Sequence, residues 1–103
     1  MPQVDRATPL PDAMQGRWVA VEDQGAELIV AGGEIICFGS TVEYDFKDIE
    51  HIDGALTVSL HIHDTTNEDA FQRANITELV ITPDGEFHAY NVKFSTQFSR
   101  ALA

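Results

Sequence analysis

The chain has 103 residues, 44% of them apolar, with seventeen acids against six bases for a net charge of −11. Its length fits one domain with one modest core. The charge disfavours phosphate backbones and anionic lipid surfaces, so neither nucleic acid nor membrane is an expected partner. Cys37 is the single cysteine, which excludes an intrachain disulfide, and its apolar neighbours point to a small buried hydrophobe.

The first residues, Met1-Pro2-Gln3-Val4-Asp5-Arg6, lack the apolar run of a signal peptide, and no stretch has membrane-span length. A cytoplasmic protein is therefore the expectation. Pro2, Pro9 and Pro11 oppose a regular helix or a central strand, so residues 1–16 read as an extended arm. Within it, Asp12-Ala13-Met14-Gln15 suits one short helical turn, with Asp12 as N-cap.

From Arg17 onward, strand signals recur every eight to twelve residues, and 17–103 reads as one β domain. Expected strands cover Arg17–Asp23, Glu27–Ala31 and Glu34–Phe38, the last two joined by a tight Gly32-Gly33 hairpin. Thr41–Lys47 alternates, with Val42, Tyr44 and Phe46 on one face and Glu43, Asp45 and Lys47 on the other. Asp48–Ile52 continues or restarts that strand, and Asp53-Gly54 turns the chain. Leu56–His63 places Val58, Leu60 and Ile62 inward, and Thr57, Ser59, His61 and His63 outward. A helical turn from Asn67 through Phe71 follows, then strands Ile76–Thr82 and Glu86–Phe94, separated by Pro83-Asp84-Gly85. Ser95–Arg100 reads as an extension of the last strand. About eight short antiparallel strands favour a closed barrel, with an open roll or sandwich as the alternatives.

Hairpin pairing across Gly32-Gly33 sets Val30 against Ile35 and Leu28 against Cys37 on one face. Ile29 meets Ile36, and Glu27 meets Phe38, on the other. Both faces are apolar, so the second needs a cover: the arm, a helical turn or another subunit.

Met14-Gln15-Gly16-Arg17-Trp18 resembles the start of lipocalins and the broader calycin group, where Gly-x-Trp opens the first strand after a short helical turn. The resemblance implies an eight-stranded barrel whose base the Trp closes, with an Arg near the last strand packed over the indole. Here those fold-closing residues would be Trp18 and Arg100.

Candidate chemistry is sparse. His61 and His63 share a strand face, which supplies two imidazoles of a metal site or two solvated side chains. His51, set opposite Leu56, lies on the other face. The acids Glu43, Asp45, Asp48, Glu50 and Asp53 read as a solvated face. His88 and Tyr90, grouped with Phe94 and with Tyr44 and Phe46, are expected inside the barrel as candidate ligand contacts. No cofactor motif and no nucleophile constellation occurs, so the sequence leans away from an enzyme. Two readings remain: binding of a small apolar or amphipathic molecule, or a homodimer through Ile29, Ile36 and Phe38.

Overall fold

In a computed structural model of the chain, residues 3–23, 25–37, 39–91 and 95–100 are described. The strands are β1 (Gln3–Asp5), β2 (Gly16–Ala20), β3 (Glu27–Ala31), β4 (Glu34–Cys37), β5 (Ser40–Thr41), β6 (Phe46–Ile52), β7 (Ala55–His61), β8 (Glu78–Ile81), β9 (Phe87–Tyr90) and β10 (Ser95–Arg100). A 3-10 turn covers Asp12–Met14, and one helix, α1, spans Glu68–Ala74. Among the described residues no helix is long and apolar enough to cross a membrane.

All ten strands form one antiparallel sheet in the order β1-β6-β7-β8-β9-β10-β2-β3-β4-β5. The sheet curls into a barrel-like fold. The curl is that of a half-barrel, and the segment between β5 and β6 touches strands at both ends of the order. The Val42 amide donates to the Ile35 carbonyl of β4 at 2.8 Å, and the Asp45 amide donates to the His61 carbonyl of β7 at 2.8 Å. One stretch of chain thus joins the two ends of the strand order. Taking that stretch as a single strand, and β1 as an addition from the arm, leaves the up-and-down eight that the turn spacing implies. Ser95–Arg100 is a strand of its own, folded back on β9 with Ser95 opposite Tyr90, and does not extend it.

Inward positions fill the interior. Trp18, Leu28, Val30, Ile35, Cys37, Val58, Leu60, Leu79, Phe87, Ala89 and Phe98 are buried there, and Trp18 meets Phe87 edge-on at 4.4 Å. Leu10 and Met14 of the arm are buried in the same core. The arm therefore plugs one end of the barrel and does not lie over its outside. At only 8% exposed, Phe71 on α1 joins the core too. The helix extends past Phe71 to Ala74, longer than the single turn expected. Asp12 sits inside the 3-10 turn, with Pro11 at the cap position.

Two turns show why their residues are there. Asp53 and Gly54 both take positive φ, 51° and 85°, the arrangement of a tight two-residue hairpin between Ile52 and Ala55. Of the Gly32-Gly33 pair, only Gly32 does, at 62°. Gly33 is needed for space, because a Cβ there would run into the Arg6 carbonyl oxygen and lie 3.0 Å from that of Thr8.

One departure resets a whole strand. Tyr44 and Lys47 are both fully buried, three positions apart, with a bend at Asp45 between them. Two residues intervene where strict alternation allows one, so the inward set shifts at this bulge. Phe46 lands on the outer face and Lys47 inside, the reverse of the expected pattern.

Candidate functional site

Successive antiparallel strands put their connections at alternating ends of the barrel. The 3-10 turn, Gly32-Gly33, Asp53-Gly54, Pro83–Gly85 and Arg100 share one end, the base. Residues 21–23, 25 and 26, Gly39 and Ser40, the α1 segment and Asn91 share the other, the mouth.

The base is sealed. Trp18 donates its indole N–H to the Met14 carbonyl at 3.0 Å, and the Arg100 guanidinium lies over the indole ring at 4.0 Å. Arg100 also donates to the carbonyls of Gln15 and Ala13. Gln15 closes the join by donating to the Gly32 carbonyl at 2.9 Å and accepting from the Gly32 amide at 2.9 Å.

Beside the base, the arm is locked to the wall around a buried cation. Lys47 Nζ donates to the carbonyls of Asp5 at 2.8 Å and Arg6 at 3.2 Å and to the Tyr44 hydroxyl at 3.0 Å. The Tyr44 hydroxyl in turn donates to the Gly33 carbonyl. All three ammonium donors are used, so a charged group persists where bare burial would forbid it. Burial still pushes the Lys47 pKa down and raises that of Tyr44 to about 12. Outside, Arg6 clasps Glu34, with Nη2–Oε1 at 2.6 Å, and reaches Glu43 at 3.4 Å. The Arg6 hydrogen bonds hold the Glu34 carboxyl below its usual range. This cluster is structural: Lys47 has no exposed surface from which to meet a substrate.

The mouth holds a depression of about 280 Å3. Cys37, Val42, Ala74 and Ile76 give it an apolar floor, and Ser40, Arg73, Asn75 and Asn91 give it polar edges. Asn91 ties the last turn of α1 to the end of β9, donating to the Gln72 carbonyl at 2.9 Å and the Asn75 carbonyl at 2.5 Å. Burial raises the Cys37 thiol to about 12, so it is a protonated, unreactive part of the floor.

The aromatic set expected inside the barrel is not brought together. Tyr44 is in the core near the base. On β9, Phe87 and Ala89 point inward, and His88 and Tyr90 lie on the outer face, stacked 6.2 Å apart. The space beside Trp18 is taken by Phe87, and Glu86, which pairs with His88 at 3.2 Å, marks the wet side. Phe94 and Phe38 lie outside the described residues.

Outside the barrel, Phe46 stacks on His61 at 5.1 Å and on His63 at 4.9 Å, and His61 Nε2 is 3.1 Å from Asp48. Among the described residues no group of three His, Cys, Asp or Glu side chains is placed to hold a metal. His51 pairs with Leu56, away from both histidines. Ile29 and Ile36 are cross-strand partners on the outer face and are partly buried.

Sequence reasoning missed the mouth pocket because its lining comes from β4, β5, the end of α1 and the residues just after β5, α1 and β9, with no local motif. Comparisons with protein-family models, curated proteins and solved structures found no match to this chain.

Proposed function

We propose that this chain is a non-catalytic binding protein that takes a small amphipathic molecule at the barrel mouth. The supporting observation is the 280 Å3 depression opposite the sealed base, with an apolar floor and polar edges. It lies just below the roughly 300 Å3 at which the size range of small-molecule sites begins, which points to a small ligand. The buried side chains inside the barrel favour the mouth over a deep aromatic pocket. A lipocalin-like relationship is part of this reading, supported by the meander order of the strands and by Arg100 over Trp18.

The test is an amide NMR titration with a library of single-ring amphiphiles. A binder is expected to shift Ser40, Val42, Ile76 and Asn91, and Ser40→Trp, at the exposed edge, is expected to block it. Hits that leave these amides unmoved, or that bind equally well to S40W, refute the proposal.

A second reading, a homodimer through the outer face of β3 and β4, is supported by the partly exposed Ile29–Ile36 pair on that face. Sedimentation of the chain at high salt, where the net charge is screened, distinguishes it: a monomer at every concentration counts against the dimer.

A further inference from the structure

We propose a second site on the outer wall, beside the mouth and sharing only Asn91 with its lining: a groove of about 230 Å3 that binds one ring of a neutral saccharide. It forms where the β7–β8 ladder runs out. Ser59 pairs with Glu78, the first residue of β8, and Glu78 pairs with Tyr90, which makes one outward-facing row across three strands. Past that row the wall continues through two backbone bonds, the Leu60 amide to the Thr77 carbonyl at 2.8 Å and the Thr77 amide to the Tyr90 carbonyl at 2.9 Å. His61, Gln72 of α1, Thr77 and Asn91 complete the lining. The Asn91 bonds to the Gln72 and Asn75 carbonyls fix the helix beside β9, so the groove is preformed.

The lining selects the ligand class. The Tyr90 ring offers a flat apolar face of the kind that C–H groups of a pyranose cover, and its hydroxyl has no partner among the described residues. Among the described residues, the Glu78 carboxylate receives only a long bond from Ser59, at 3.3 Å, and the Gln72 amide makes only a 3.4 Å bond to Glu68. Acceptors and donors therefore stand together around one ring, which suits vicinal hydroxyls, each both donor and acceptor. An anionic ligand would meet Glu78 and a chain of net charge −11. An apolar one would leave the carboxylate and amide desolvated without partners. An organic cation would use Glu78 and Tyr90 but waste the Gln72 and Ser59 donors. The volume equals roughly seven or eight waters at ~30 Å3 each, the scale of a single sugar ring.

The experiment is an amide NMR titration of the whole chain with methyl glycosides of the common hexoses, with tetramethylammonium chloride as a parallel probe. At least one glycoside is expected to shift Ser59, Glu78 and Tyr90 in a saturable way, with binding about tenfold weaker in Tyr90→Ala and several-fold weaker in Glu78→Gln. S40W is expected to leave the titration unchanged, which separates this groove from the mouth. Three results overturn the proposal: no glycoside shifts these amides, the shifts persist at full size in a Y90A whose Trp18 emission is native, or tetramethylammonium shifts them more than any glycoside.

Discussion

Raising the pH tests the burial of Cys37 directly. The thiol is 8% exposed in the barrel wall, and burial moves its pKa from 9.0 to about 12. Because the folded value is the higher one, the stability linked to Cys37 is complete below pH 9 and is lost as the pH rises toward 12. At about pH 10.5 the unfolded thiol is almost fully ionised while the folded one keeps its proton, a loss of about 2 kcal/mol. Tyr44, raised from 10.0 to about 12, adds roughly 0.8 kcal/mol at the same pH. Guanidinium chloride unfolding, followed by the emission of the single Trp18 under reducing conditions, is the suitable assay, since the salt screens the surface charges that would otherwise blur the comparison. The Cys37 share corresponds to a midpoint drop of about 0.5–1 M between pH 8 and pH 10.5. Cys37→Ala should be less stable at pH 8 but should lose only the smaller Tyr44 share on going to pH 10.5. Equal midpoint shifts for the two proteins would refute the reasoning.

Arg100→Met keeps an apolar stem over Trp18 but removes the cation and its bonds to Gln15 and Ala13; a loss of about 1–2 kcal/mol is expected in thermal unfolding, with an altered Trp18 emission. Gly33→Ala drives a Cβ into backbone oxygens that cannot swing aside, so a loss of about 3 kcal/mol is expected, together with faster hydrogen exchange at the Leu10 amide that docks on Gly32. Arg6→Gln frees Glu34, whose lowered pKa supplies stability above its ordinary value of 4.5 that is lost as the pH falls; acid titration of the variant should show a flatter decline than the parent chain.

The fold was largely legible because alternation and turn chemistry agree along most of the chain. The hairpin register was readable pair by pair: Leu28–Cys37, Ile29–Ile36 and Val30–Ile35 follow from a two-residue loop alone. On β7, Val58 and Leu60 inward and His61 outward follow from period two. On β9 the same period was readable but was assigned to the wrong face. Grouping aromatics put His88 and Tyr90 inside, whereas the charge of Glu86, two residues before His88, pointed the other way. The mouth was not legible, since it depends on where α1 comes to rest over strands far from it in sequence.

The bulge at Asp45 explains why the chemistry of this chain resists a reading by pattern. A strand that slips by one residue exchanges its two faces from that point on. Here the exchange sends an apolar ring, Phe46, out to stack on two histidines and brings a lysine in. An inward lysine is tolerable only if acceptors await it, and these come from the arm, as the Asp5 and Arg6 carbonyls. The arm can lie there only because Gly33 leaves room for the Arg6 carbonyl. Bulge, lysine, arm and glycine are thus one device, and its effect is to fill the barrel and seal the wall beside the base. A barrel filled in that way offers its mouth and its outer wall for binding, and open pockets lined by mixed polar and apolar groups lie at both.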